Sequence, residues 1–203
     1  YISSDGTVTN TADLISCNTA GVTLEFSNIT VEGIGTDAKI AGRLIYAGNA
    51  DVILGSNTLI GNSFSQNIGV GVRCNNLTMN ANSMIRHCYV NSTTDGGAGA
   101  HISGILKMSD FAAICFNTNI NTYGTSIAGR YAVGGAYVKT LEMSGNSSIY
   151  GNFSQTKGSS DASAKGGAGV YIYGSDDSVI SDNASIRDNF SYYQLCSGVY
   201  FPS

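Results

Sequence analysis

The chain is short of charge and lacks tryptophan, and these shortages exclude several classes of protein. Charged residues make up 12% of its 203 residues, and the formal net charge is −4. Because Lys and Arg form no cluster, binding of nucleic acid through a basic face is not expected. No apolar run reaches the roughly 18 residues of a transmembrane helix, so we expect no membrane contact by this segment.

Proline is also nearly absent, occurring once at Pro202, whereas glycine occurs 26 times. Proline cannot donate to a β-ladder, so its absence elsewhere is compatible with sheets along the whole chain. Gly, Asn, Ser and Asp stand between short apolar segments, and these are the residues that favour tight turns. The composition therefore predicts many short strands joined by turns.

A six-residue spacing recurs along the chain and indicates an internal repeat. An apolar residue is followed six residues later by an isoleucine at Leu54 and Ile60, Met79 and Ile85, Met108 and Ile114, Met143 and Ile149, and Ile180 and Ile186. A shortened earlier copy covers Thr23–Phe26, with Val31 in place of the isoleucine. Self-similarity of this kind is typical of a stacked, solenoidal architecture.

Each copy contains alternating apolar and polar residues, as in Leu77-Thr78-Met79, and this period of two is that of a β-strand. Three such segments follow one another: a glycine-led segment, the Leu-x-Met segment and a segment around the isoleucine. We therefore predict an all-β fold, a single-stranded right-handed parallel β-helix of about six rungs with three short strands each. The residues of the six-residue pairs should form two buried stacks.

The spacing between copies grows along the chain and predicts two insertion loops. It is 25 residues from Leu54 to Met79 and 37 residues from Met143 to Ile180. The extra residues fall at about 118–133 and 154–165, within one β-helix segment that spans residues 1–203. Because the chain opens on Tyr1 rather than Met, we expect it to be part of a longer protein. Loops on one side of a solenoid often bind partners, and the candidates here are Tyr123, Arg130 and Tyr131.

The glycine-led strands predict an outward row of aromatic side chains. Period-two alternation places Ala100, Ala136, Val170 and Val199 inward, which leaves His101, Tyr137, Tyr171 and Tyr200 facing outward on successive rungs. At a rung spacing of about 4.8 Å these rings should stack. Two interpretations remain open: the rings only stabilise the sheet, or they also bind a glycan or another chain.

The motif Asn-x-Ser/Thr, the acceptor sequence for N-linked glycans, occurs seven times. It occurs at Asn28, Asn76, Asn91, Asn146, Asn152, Asn183 and Asn189. One interpretation is that Asn and Ser are simply the turn residues of the fold. The other is a glycosylated extracellular protein, in which turns also offer room for a glycan.

The cysteines do not indicate a cofactor or metal site. Five cysteines cannot all pair within one chain. None forms a C-x-x-C motif, and no His, Cys and Asp cluster has the spacing of metal ligands. We therefore expect no metal and no cofactor, with the cysteines acting as small apolar residues of the interior.

Two short motifs carry a resemblance to a known family. Gly96-Gly97-Ala98, Gly134-Gly135-Ala136 and Gly166-Gly167-Ala168, together with Phe64-Ser-Gln-Asn67 and Phe116-Asn-Thr-Asn119, resemble the GGA and FxxN repeats of the polymorphic outer-membrane proteins, which are autotransporter-type surface adhesins. The resemblance runs from about Ala41 onward. It departs from the FxxN pattern at Phe153-Ser-Gln-Thr156 and Phe190-Ser-Tyr-Tyr193.

The resemblance implies an extracellular or cell-surface protein that is not an enzyme and acts as an adhesin-like binding segment. Its partner would be a glycan or protein on a host or neighbouring cell, or further copies of itself. The alternative is a structural subunit of an extracellular filament or coat.

A third hypothesis is a polysaccharide-degrading enzyme, because some enzymes of that class also have a parallel β-helix fold. Asp95 and Asp176 stand in motifs similar to those of polygalacturonases, where two carboxylates act as acid and base. Two repeat cores separate these residues, so they should not converge on one site. We assign no catalytic residue.

Overall fold

The computed structural model describes residues 12–33, 42–65, 68–91, 96–121, 131–156, 166–192 and 196–201. Within these ranges the chain contains strands and turns but no helix, and all strand pairs are parallel. Three main sheets are present, which we call sheets I, II and III. Successive strands along the chain visit the three sheets in turn, which confirms the predicted all-β, parallel β-helix class.

Sheet I contains the glycine-led segments. Its strands, in spatial order, are β1 (Ile15–Ser16), β4 (Ile45–Ala47), β7 (Val72–Cys74), β11 (Ala100–Ile102), β16 (Ala136–Val138), β20 (Val170–Ile172) and β24 (Val199–Tyr200). Sheet II contains the Leu-x-Met segments. Its strands are β2 (Thr23–Phe26), β5 (Asp51–Leu54), β8 (Leu77–Met79), β12 (Ile105–Met108), β17 (Thr140–Met143) and β21 (Val179–Ile180).

Sheet III contains the isoleucine segments and bends along its length. Its strands are β3 (Thr30–Glu32), β6 (Leu59–Ser65), β9 (Met84–Asn91), β13 (Ala113–Cys115), β14 (Thr118–Asn121), β18 (Ser148–Tyr150), β19 (Phe153–Thr156), β22 (Ser185–Arg187) and β23 (Phe190–Tyr192). A small additional sheet pairs β10 (Gly96–Gly97) with β15 (Ala132–Val133).

The later rungs have more strands than the three predicted, because the chain turns within sheet III. The second residue after each isoleucine has a positive φ, with values of 51° at Asn62, 52° at His87, 55° at Phe116 and at Asp188, and 63° at Gly151. A left-handed residue bends a strand much as a β-bulge does. β6 and β9 run through this bend, whereas the later rungs are divided there.

The two predicted core stacks are present in the middle of the molecule. Leu54, Met79, Met108 and Met143 pair in register through sheet II, and Ile60, Ile85, Ile114 and Ile149 pair through sheet III. All eight side chains are at most 2% exposed. Ile186 keeps its register with Ile149 but is only half-buried. The prediction is wrong for Ile180, which is 47% exposed although it pairs with Met143. No described strand covers the other side of β21. Ile180 therefore has the predicted register but is not buried.

The first predicted insertion begins and ends as strand, and the second begins as strand. Residues 118–121 form β14, residues 132–133 form β15, and residues 153–156 belong to β19. The remaining parts of the two predicted loops, 122–130 and 157–165, lie outside the described residues, as do Tyr123 and Arg130. The described residues contain no helix of the length and apolar character needed to cross a bilayer.

Candidate functional site

The outer face of sheet I carries a row of aromatic and basic side chains. Alternation along each strand buries the flanking residues, such as Ile45 and Ala47 around Tyr46. Strand pairing then aligns the outward residue of each rung with that of the next. The aligned residues are Tyr46, Arg73, His101, Tyr137, Tyr171 and Tyr200.

The four predicted ring residues stack as expected, and we call them the aromatic row. Ring centroids are 4.9 Å apart for His101 and Tyr137, 5.0 Å for Tyr137 and Tyr171, and 5.2 Å for Tyr171 and Tyr200. The Tyr137 and Tyr171 rings are parallel, with an interplanar angle of 0°. Each such contact contributes about 0.5–1.5 kcal/mol beyond the area it buries.

Two further tyrosines pack on the aromatic row. The Tyr131 ring lies 4.5 Å from that of Tyr171, and the Tyr173 ring lies 4.9 Å from that of Tyr137. The Tyr173 hydroxyl also donates to the Ser103 carbonyl at 2.8 Å. Tyr131 was predicted as a loop residue, and it lies against this row. Tyr173 was missed, although its position two residues after Tyr171 places it on the same outward face.

Within the aromatic row, Tyr171 is buried and the other ring residues are half-exposed. Tyr171 is only 2% exposed, and burial, with a hydrogen bond to Tyr131 as the next cause, raises its pKa. Because the rings lie face to face, they offer edges and hydroxyl groups to solvent rather than open faces. Tyr171 is therefore a packing residue, and any contact with a partner falls on the half-exposed Tyr137, Tyr173 and Tyr200.

The other end of the face is basic. The guanidinium carbons of Arg43 and Arg73 lie 4.0 and 5.8 Å from the ring centroid of Tyr46, and Arg43 also forms an ion pair with Asp13 at 2.9 Å. Burial, together with Arg73 and Arg43, lowers the pKa of His101 to about 4. His101 is therefore neutral at physiological pH, and the face contains two fixed cations. Tyr46 and Arg73 are absent from the predicted row. The period-two alternation that predicts His101 as outward also predicts these two residues as outward.

Inside the molecule, a second row consists of asparagines, which we call the buried asparagine row. It contains Asn117, Asn152 and Asn189, each three residues after an isoleucine of sheet III. Asn117 donates from both its backbone nitrogen and Nδ2 to Asn152 Oδ1 at 3.0 Å, and Asn152 donates in the same way to Asn189 Oδ1 at 3.0 and 2.9 Å. Each Nδ2 also donates to the carbonyl of an isoleucine in the preceding rung.

Glycine is required where the glycine-led strands meet this row. A Cβ on Gly135 would lie 2.2 Å from the Gly169 carbonyl oxygen and 3.1 Å from Asn152 Nδ2. A Cβ on Gly169 would lie 2.8 Å from Asn189 Nδ2. Any side chain at these positions would displace the amides, so the glycine pattern and the asparagine row depend on each other.

The structure separates the seven candidate glycosylation sites by exposure. Asn28, Asn146 and Asn183 are exposed, Asn76, Asn91 and Asn189 are half-buried, and Asn152 is fully buried. Asn152 is therefore not a glycosylation site of the folded chain, contrary to the prediction. Its amide is enclosed in the buried asparagine row, and a glycan there is incompatible with the fold.

The five cysteines are free in the structure. Cys74 and Cys88 point inward, and burial raises the pKa of both thiols. Cys115 differs, because it pairs in register with Arg86 and Tyr150 on the outer side of sheet III. It is nevertheless 1% exposed and hydrogen-bonded to Tyr150. The described part of the chain contains no group of three His, Cys, Asp or Glu side chains that could hold a metal ion.

The two FxxN matches occupy different structural positions. Phe64 lies in a row with Tyr89, Thr118, Phe153 and Phe190. Phe116 lies instead at the bend of sheet III, in the left-handed conformation and 47% exposed. Its ring stacks on His87 at 5.6 Å. The second FxxN tetrapeptide is therefore not a structural repeat of the first.

The comparisons with known proteins gave no match: no family model, no curated protein and no solved structure resembled this chain.

Proposed function

We propose that this chain is a non-enzymatic, adhesin-like binding segment of an extracellular or cell-surface protein, and that it binds through the outer face of sheet I. The observation that carries the proposal is the continuous row from Tyr46 to Tyr200, in which every residue except Tyr171 is half-exposed. Aromatic residues and Arg are enriched in the contact surfaces of proteins, because they combine apolar area with hydrogen-bond donors.

The chemistry of this face favours a polar, extended partner. Tyrosine hydroxyls and the Arg73 guanidinium present donors along one line, and Arg73 has no carboxylate partner among the described residues. Neighbouring rungs lie about 4.8 Å apart, so the row spans several repeats of a linear chain. A glycan or protein segment on a host or neighbouring cell fits this description.

Hydrolysis of a polysaccharide has less support from the geometry. Asp176 forms an exposed ion pair with Lys139 at 2.9 Å, and Asp95 lies outside the described residues. Paired acid and base carboxylates need to flank one bond, and Asp176 faces a cation instead of a second acid.

The binding proposal is tested with a double variant, Arg73→Ala with Tyr137→Ser, on an array of neutral, sialylated and sulfated oligosaccharides and on intact cells. We expect binding to weaken about tenfold or more, because aromatic and Arg contacts dominate interfaces. The matched control is Tyr89→Ser. Tyr89 also stacks on a neighbouring ring, that of Phe64 at 5.0 Å, but on the outer side of sheet III. Equal loss in both variants, or no loss in the double variant, would refute the proposal.

Self-association is a second candidate, favoured by apolar exposure in the last described rung. Val179, Ile180, Phe190 and Phe201 are 53%, 47%, 58% and 58% exposed. Unpaired strand edges with apolar side chains can pair with another chain. Sedimentation across a range of concentrations tests this alternative: a Val179→Lys and Ile180→Lys variant should remain monomeric where the parent chain assembles.

A further inference from the structure

The three exposed acceptor asparagines lie on one corner of the molecule. Asn28, Asn146 and Asn183 stand in the turns that lead from a sheet II strand to the following sheet III strand, and we call this edge the II–III corner. The same corner carries Asn57 and Asn82. The other acceptor asparagines are elsewhere, at the turns between sheets I and II or on sheet III.

The amide nitrogens differ in availability. Asn28 Oδ1 accepts from Asn57 at 3.0 Å, and Asn146 Oδ1 accepts from Asn183 at 3.4 Å, so Nδ2 of Asn28 and of Asn146 has no partner among the described residues. Asn76 Nδ2 donates to Asp51 at 3.0 Å, and Asn189 Nδ2 donates to the Ile149 carbonyl at 3.0 Å. Of the three exposed acceptor asparagines, Asn28 and Asn146 therefore have an available reacting nitrogen, whereas Asn183 Nδ2 donates to Asn146.

We infer that the II–III corner is the glycan-bearing edge of this protein, with N-linked oligosaccharide on Asn28 and Asn146. This inference rests on the extracellular location proposed above. In the transfer, Asn Nδ2 forms a bond to C1 of the first sugar of a lipid-pyrophosphate-linked oligosaccharide. The bond from C1 to the pyrophosphate oxygen breaks, and the amide proton passes to a base of the transferring enzyme. The pyrophosphate leaves with the bonding electron pair.

The position of this edge determines which surface remains open. Each strand of sheet I is followed by sheet II and preceded by the end of sheet III, so sheet I adjoins the other two corners but not this one. Glycans on the II–III corner would cover the ends of sheets II and III. They would leave the aromatic row free for a partner.

The experiment is to secrete the chain from eukaryotic cells and release the glycans from the folded protein with a peptide N-glycosidase in heavy-oxygen water. The enzyme converts each glycosylated Asn into an isotope-labelled Asp, which peptide mass spectrometry locates. We expect label at Asn28 and Asn146 and none at Asn152. An unlabelled II–III corner, or label at Asn152 in folded protein, would overturn the inference.

Variants test the assignment without changing the asparagines. Thr30→Ala and Ser148→Ala each remove one acceptor motif and should each abolish one glycan. Ser27→Ala and Ser144→Ala remove a hydroxyl from the same two turns but leave the motifs intact, so their glycan patterns should match the parent.

Binding and glycosylation are measured on separate material, so the two proposals fail separately. Bacterially produced chain, which lacks these glycans, is used on the oligosaccharide array. Absence of binding there, together with the expected label at Asn28 and Asn146, would refute the function of sheet I alone. Binding with an unlabelled corner would refute the glycan inference alone.

Discussion

Asparagines line the bend of sheet III and the II–III corner, and the two rows differ in environment and in bonding. In the buried asparagine row Asn117 and Asn152 are enclosed and Asn189 is half-buried; each Nδ2 donates to an isoleucine carbonyl, and Asn152 and Asn189 accept from the asparagine of the rung before. On the II–III corner, Asn28, Asn57 and Asn82 also bond to one another, at 3.0 and 2.7 Å, but all three are exposed. Water can replace every bond of the exposed set and none of the bonds at the centre of the buried row.

This difference shows that the environment of an amide, rather than its presence in a ladder, determines its contribution to stability. A buried polar group without a partner costs about 1–3 kcal/mol, whereas a solvated one costs little. The exposed corner instead depends on backbone conformation, because its turn residues have φ between 52° and 64°. These residues are Asn28, Asn57, Ala81, Asp110, Gly145 and Asp182.

The largest effect is expected for Asn152→Ala, in the centre of the buried row. The substitution leaves the backbone nitrogen of Asn117 without its acceptor in the interior, removes one of the two acceptors of Asn117 Nδ2, and removes one donor to the Ile114 carbonyl. We expect a loss of about 3–5 kcal/mol in the free energy of unfolding, measured by urea denaturation. A loss below about 1 kcal/mol would show that the interior amides are not coupled as described.

A smaller loss is expected for Asn189→Ala, at the half-buried end of the same row. The variant removes the acceptor of the Asn152 bonds and one donor to the Ile149 carbonyl, but water can reach this rung. We expect about 1–2 kcal/mol in the same measurement. If Asn189→Ala costs as much as Asn152→Ala, solvent access does not set the difference between the rows.

Asn82→Ala breaks the corresponding ladder on the exposed corner. Asn82 donates to Asn57 Oδ1 and accepts from the Asn57 backbone nitrogen, both at 2.7 Å. Because water replaces both bonds, the loss should be below about 1 kcal/mol. A loss comparable to that of Asn152→Ala would remove the contrast between the two corners.

Ala81→Gly should slightly stabilise the chain. Ala81 has a φ of 52°, and its backbone nitrogen donates to Asp110 Oδ2 at 2.9 Å, a bond that glycine keeps. Relief of the left-handed strain is worth about 1 kcal/mol, and the extra chain entropy of glycine offsets roughly half of it. A rise of about 1–2 °C in Tm by circular dichroism is expected, and Ala112→Gly, at a buried position of the next turn, should lower the Tm.

The rung register could be predicted from the sequence because inward residues repeat once per turn. A six-residue step from Met108 to Ile114 crosses one corner, and it keeps its length in five copies. The aromatic row could be predicted for the same reason, since alternation in a strand is a local property. Exposure could not be predicted, because it depends on neighbouring rungs, as Ile180 shows.

The sequence also could not predict which asparagines are buried and which are exposed. Asn146 and Asn152 both precede a Ser two positions later and both stand in turns, yet one is exposed and the other is enclosed. The decisive factor is which side of the strand the turn residue faces. A left-handed glycine precedes both asparagines, Gly145 before Asn146 and Gly151 before Asn152, so the local backbone conformation does not distinguish them.

In the 203-residue chain on its own, the exposed rung of β21 to β23 implies an order in which the strands come apart. Each rung of a solenoid is held only by its neighbours, and Ile180 and Phe190 have a neighbour on one side alone among the described strands. Local opening should therefore begin at β21 to β23 as fraying and proceed toward β17 and β18. Amide hydrogen exchange would show this as a gradient along this half of the axis, faster at Ile186 than at Ile114. The buried asparagine row would slow this opening, because each rung that opens must release one amide pair before the next rung can follow.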